Sequence, residues 1–72
     1  MSKVVKEVTI HTEYITLGQL LKFSDVIFEG GDAKAYLAET KVLVNGIDEN
    51  RRGKKIRPGD KVELPEMTII VK

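Results

Sequence analysis

The sequence predicts an α+β fold, with two short helices packed on a small antiparallel β-sheet. Three observations carry this. β-branched stretches open and close the chain, at residues 4–10 (VVKEVTI) and in the final MTIIVK. Two stretches at helical spacing, LGQLLKF and AKAYLAE, follow the first of them. Turn signals at Asn45-Gly46 and Pro58-Gly59 then divide the second half into short strands. Two helices covering one face of a sheet is the natural closure for that order.

The elements follow in turn. Residues 4–10 alternate in part and read as a strand. Thr16 followed three positions later by Gln19 is a capping-box pattern, in which each side chain satisfies a backbone N–H at a helix start. Leu17, Leu20 and Leu21 then share one face of a helix that ends near Phe23 or Ser24. Gly18 costs this helix up to about 1 kcal/mol relative to alanine. Gly30 and Gly31 break the pattern, and Asp32 is suited to N-cap the second helix, which stops near Thr40. Ala33, Tyr36 and Leu37 share its inner face, with Lys34, Ala35, Ala38 and Glu39 outside. In KVLVNG, Val42 and Val44 point one way and Lys41, Leu43 and Asn45 the other. Pro58 and Gly59 suit the centre of a type II turn. KVEL sets Val62 and Leu64 inward, Pro65 interrupts, and MTIIVK is the last strand. Phe23 and Phe28 are expected in the core, Tyr14 and Tyr36 in packing roles, and His11 on the surface.

Composition narrows the function classes. The chain has 72 residues, enough for a single domain over 1–72 that buries little over half of its unfolded surface. It has no cysteine, so disulfides and thiolate metal sites are out, and one histidine argues against an imidazole cluster. No nucleophile stands with a base, and no carboxylates are spaced as a pair. The expectation is a protein that is not an enzyme, needs no cofactor and binds no metal. No apolar run approaches the roughly 18 residues of a membrane helix, and MSKVVKEVTI does not have the build of a signal peptide, so a cytoplasmic location is expected.

Charge is where the chain is unusual. The net charge is only +1, yet residues 51–61 hold six of the twelve cations against one acid. That segment carries +5 and the remainder −4. Phosphate binding depends on such a local patch rather than on the total. Two readings stand for Arg51, Arg52, Lys54, Lys55 and Arg57. They contact phosphates, with Gly53 letting the backbone come close, or they only solvate an exposed hairpin and guard a sheet edge. Gly30-Gly31-Asp32-Ala33-Lys34 also precedes a helix, where free N–H groups can hold an anion, although an ordinary turn capped by Asp32 is the simpler account. With both phenylalanines assigned to the core, little is left for stacking bases, which favours a folded RNA over a single strand.

The succession LGQLLKF, GGDAKAYLAE, VLVNG and RPGDKVEL resembles the S4 RNA-binding domain, the alpha-L motif, over residues 16–64, with flanking N- and C-terminal strands. The N-terminal strand, GGDAK and NRRGKK look most like short stand-alone bacterial S4-like proteins of the YaaA type. The resemblance implies a non-catalytic protein that binds structured RNA, ribosomal or transfer RNA, in ribosome assembly or translation. It implies an RNA surface on the exposed helix faces and adjoining loop: Lys22, Gly31, Lys34, Lys41 and Asn45, joined by Arg51, Arg52, Lys54, Lys55 and Arg57. The helix face is less basic than in typical members, since Thr16, Ala35 and Ala38 stand where basic residues are common. The NRRGKK cluster compensates in this reading. The rival is a protein-interaction module on a ribosomal or replication complex. A β-grasp sulfur carrier shares V-x-V-N-G and G-D-x-V-E but requires a C-terminal Gly-Gly, where this chain ends Ile70-Val71-Lys72.

Overall fold

Thr16 starts the first helix as its sequence pattern requires. In the computed structural model, which describes residues 4–29 and 31–72, Thr16 Oγ1 accepts the Gln19 N–H (3.3 Å) and Gln19 Oε1 accepts the Thr16 N–H (3.2 Å). Helix α1 (Leu17–Phe23) buries Leu17, Leu20 and Leu21. It ends in a Schellman arrangement. The Val26 N–H reaches back to Leu21 O and the Asp25 N–H to Lys22 O, with Asp25 at φ 61 where glycine is more usual.

Helix α2 (Asp32–Glu39) buries Ala33 and Leu37. Asp32 is not its N-cap. Gly31 holds that position with helical backbone angles and no side-chain cap. The tight turn before the helix already places Asp32 in the first turn, where its carboxylate accepts the Glu29 N–H and complements the helix dipole. Gly30 lies outside the described residues.

The strands are β1 (Val4–Val8), β2 (Ile15–Thr16), β3 (Leu43–Val44), β4 (Ile47–Asp48), β5 (Lys55–Ile56), β6 (Lys61–Glu63) and β7 (Met67–Val71). Five form one sheet in the order β1-β7-β6-β3-β4. Its joins are antiparallel except that of β1 to β7, which is parallel, with Val4 opposite Met67 and Val8 opposite Val71. The two strands that share this join are the first and the last, so the rest of the domain serves as the crossover that a parallel pair needs. Asn45 (φ 52) and Gly46 (φ 83) make the two-residue turn between β3 and β4. Gly59 (φ 99) takes the left-handed position of the 57–60 turn, which the Asp60 N–H closes on Arg57 O.

Val8, Val42, Val44, Val62, Leu64, Ile69 and Val71 meet the buried residues of both helices in one core. Lys6 lies in register with Ile69, and its Nζ approaches Ser24 O at the end of α1 (3.4 Å). The two phenylalanines depart from expectation. Phe23 is 63% exposed and Phe28 75%. The inward stripe of α1 runs 17, 20, 21 and 24, so the small Ser24 takes the buried position and Phe23 faces out. Ile27, 5% exposed, fills the core beside Phe28.

Candidate nucleic-acid interface

The basic stretch is held by a second, two-stranded sheet. β5 pairs antiparallel with β2, Ile15 opposite Ile56 and Thr16 opposite Lys55. Ile56 is fully buried and anchors the stretch to the core. From this pairing the chain just before β5 runs along the start of α1. The Leu17 N–H donates to Lys54 O (2.8 Å) and the Gly18 N–H to Arg52 O (2.9 Å). The first N–H groups of a helix have no partner within it. Here two are taken by carbonyls of the basic loop and a third by Thr16. Of the two residues whose carbonyls face the helix, Arg52 is exposed and Lys54 half-buried.

Gly18 lies at the closest part of this approach. A Cβ there would sit 3.4 Å from Ala33 Cβ, Arg52 Cβ and Arg52 O at once. The helix-weakening glycine of the sequence is therefore the point where α1, α2 and the loop meet.

The cations of this region differ in their freedom. Arg51 is engaged by Glu49, Nε to Oε2 at 3.0 Å and Nη2 to Oε1 at 3.1 Å. Lys61 pairs with Glu63 at 3.2 Å. Arg52, Lys54, Lys55 and Arg57 make no ion pair among the described residues. The Lys55 ammonium lies 5.0 Å from the centre of the Tyr14 ring, a cation–π contact.

Asn45 is committed to the framework. Its Oδ1 accepts the Lys61 N–H (2.9 Å) and its Nδ2 donates to Asp60 Oδ1 (3.0 Å). The other Asp60 oxygen accepts the Arg57 N–H (2.8 Å). This cross-brace ties the β3–β4 turn to the turn at 57–60.

Two carboxyls in the region have lowered pKa values. Glu49 is lowered chiefly by its hydrogen bond from the Arg51 side chain. For Asp60, partial burial pushes upward, but the Arg57 N–H, the Asn45 amide and the nearby Lys54 and Arg57 charges outweigh it. A carboxyl with a lowered folded-state pKa stabilises the fold above its unfolded value, about 4, and loses that contribution as pH falls through the folded value. The melting temperature should therefore be nearly flat from pH 7 to about 5 and fall below about 4. Asp60→Asn should make that acid-side fall shallower. Thermal unfolding followed by circular dichroism across pH checks both.

The structure gathers some of the expected site residues and separates others. Lys22, Arg52 and Gly53 line one groove with Thr16, Gly18, Gln19 and Ala33. Arg51, Gly53, Lys54, Lys55 and Arg57 line a second depression. Lys34 is exposed on α2. Lys41 borders a different depression, with Leu43, Glu63, Leu64 and Pro65. Gly31 has open space where a Cβ would stand, so no close approach there demands glycine. In the sequence, Thr16 and Gln19 are explained by the helix start alone and Gly18 stands only as a weak point of that helix, so none of the three signals a groove. Only the loop's return onto α1 brings them to the groove.

Comparison with known proteins agrees with this architecture. Residues 8–72 match the family model described as the S4 domain. The chain is also 56% identical over 57 residues to the probable ribosome maturation protein RlbA of Bacillus subtilis (strain 168), covering 79% of this chain and 80% of that protein.

Proposed function

The chain belongs to the S4 domain family, and we propose that it is a single-domain, non-catalytic protein that binds structured RNA, ribosomal or transfer RNA, in ribosome maturation or translation. The relative's name points to the ribosome as the setting, and such work would take place in the cytoplasm. The observation that carries the reading is the seating of the basic loop on α1. Backbone hydrogen bonds at Leu17 and Gly18 fix the loop, and on it and β5 just beyond, Arg52, Lys54, Lys55 and Arg57 have no ion-pair partner among the described residues. Cations held on fixed backbone suit a phosphate array of fixed geometry, which is how folded RNA presents itself. Arginine contributes bidentate contacts and lysine point charges. Lys22 and Lys34 extend the same positive surface along the helices, and Lys41 is an outlying member.

The test is fluorescence anisotropy with a fluorescein-labelled RNA hairpin over a salt series. The wild type is compared with a combined Arg52→Ala, Lys54→Ala, Lys55→Ala and Arg57→Ala variant. None of these side chains makes a fold-holding ion pair, and the capping carbonyls are backbone, so the variant should remain folded. Loss of about four phosphate contacts should flatten the slope of log K against log salt by roughly three to four units. Arg51→Ala should flatten it by less, because Glu49 already answers that charge. Equal slopes for wild type and the combined variant would leave the basic loop as a solvated edge and overturn the proposal.

A further inference from the structure

Resting on that RNA reading, we propose that a groove beside α1 takes one unpaired RNA base, stacked against Phe23 and Tyr14 with Lys22 and Lys55 on its flanking phosphates. The groove measures about 500 Å³ and is lined by Thr12, Tyr14, Ile15, Gln19, Lys22 and Phe23. Two aromatic rings stand at its walls, Phe23 63% exposed and Tyr14 39%. A single exposed aromatic needs no partner, and Phe28 is one, but Phe23 and Tyr14 line the same groove, and exposed apolar surface gathered in a groove marks a contact site.

Charge selects the partner. None of the six lining residues is acidic, Lys22 is among them, and the Lys55 ammonium lies over the Tyr14 ring. Aromatic faces beside unpaired cations match a nucleotide, whose base stacks while its phosphate is neutralised. A plain apolar peptide face would leave both ammonium groups without a counterion. The groove also supplies a polar edge. Gln19 Oε1 is occupied by the Thr16 N–H, which leaves the amide nitrogen of the same side chain to donate to a base.

Position joins this groove to the basic surface. Gln19 and Lys22 form its wall and also line the neighbouring groove with Arg52 and Gly53. α1 is thus a ridge with the cationic loop on one flank and the aromatic pair on the other. A folded RNA whose backbone lies on the loop can turn one unstacked nucleotide across the ridge. Bulges and loops present such nucleotides, and continuous duplex does not.

Two fluorescein-labelled RNA hairpins with the same stem test this, one fully paired and one carrying a single bulged adenosine. The wild type should bind the bulged hairpin about tenfold more tightly, the scale of one base–aromatic stack. Phe23→Ala, and separately Tyr14→Ala, should lose that preference and bind both hairpins as the wild type binds the paired one. The salt slope of Phe23→Ala should be unchanged, since no charge is removed. Phe23→Leu, apolar but without a ring, should also lose most of the preference. Phe28→Ala, an exposed aromatic outside the groove, should keep it. With 2-aminopurine in place of the bulged adenosine, the wild type should quench its fluorescence and Phe23→Ala should not.

If the wild type binds both hairpins equally while the cationic variant loses its salt slope, the base site is wrong and the RNA reading stands. If neither hairpin binds with a salt slope that depends on the basic loop, both fail.

Discussion

Replacing Ile56 with alanine is expected to cost about 2–5 kcal/mol of folding stability, the range for truncating a large aliphatic side chain in a filled core. Ile56 is fully buried, as are Leu17, Leu20 and Leu21 of the neighbouring helix. At roughly 0.05–0.15 kcal/mol per residue, a domain of 72 residues has about 4–11 kcal/mol in total. One cavity can therefore remove a third or more of it. For a domain of this size each kcal/mol lowers the melting temperature by roughly 4–8 °C.

The consequence goes beyond stability. Ile56 is the only fully buried residue of β5, and β5 delivers Arg52 and Lys54 to the start of α1. A cavity beneath it loosens the seat of the basic loop, so RNA affinity should fall although no charge is lost. Ile47→Ala, at 72% exposure on β4, should change stability by no more than about 0.5 kcal/mol. Urea unfolding of both variants beside the wild type decides the matter. A change at Ile56 as small as that at Ile47 would mean that the 55–56 strand is not what anchors the loop.

The parts of this architecture that were legible in the sequence are those with local causes. Thr16 and Gln19 announce a helix start because the two groups they satisfy lie within one turn. Asn45-Gly46 announces a hairpin because both residues tolerate positive φ. The S4 resemblance added the order in which these pieces assemble. Four features were not legible: two strand pairings whose cause is distant in the chain, the outward position of Phe23, and the ion pair that holds Arg51.

The β2–β5 pair has two residues on each side, too few for alternation to show. Its existence depends on chain segments about forty residues apart coming together. The direction of β1 against β7 is likewise a property of closure. Phe23 lies outside, against the expectation from its hydrophobicity, because helical phase decides which positions face the core. Residues 17, 20 and 21 already define the inward stripe, and its next position is 24, so a phenylalanine at 23 belongs outside. The same phase argument turns Phe23 from a core residue into the wall of a groove. An exposed ring can stack on a base, which a core phenylalanine cannot. The basic loop showed its charge in the sequence but not its pairing state. Glu49 lies just outside the cationic segment, and only the fold shows it holding Arg51.

Gly18→Val should separate two effects that the sequence merges at that position. Read alone, the glycine is a weak spot in α1, and any residue with a side chain should improve the helix by up to about 1 kcal/mol. Read in the fold, a Cβ at that point meets Ala33 and Arg52 at 3.4 Å, ordinary contact that leaves no room for branches. Gly18→Ala is therefore expected to be neutral or mildly stabilising. Valine adds two methyl groups beyond the Cβ, and these run into the Arg52 carbonyl or into α2. Overpacking of this kind costs about 1–3 kcal/mol.

The least costly relaxation lets the loop move, since α2 is fixed by Ala33 and Leu37 in the core. That movement breaks the Gly18 N–H bond to Arg52 O. The valine variant should then bind an RNA hairpin more weakly and with a flatter salt slope than the alanine variant, although both retain every cation. If valine lowers the melting temperature but leaves the salt slope at the wild-type value, the loop grips RNA without help from the helix. If alanine alone flattens the slope, the contact at Gly18 is tighter than 3.4 Å implies. A flattened slope with valine and an unchanged one with alanine is the result that ties phosphate binding to the backbone clamp on α1 rather than to charge alone.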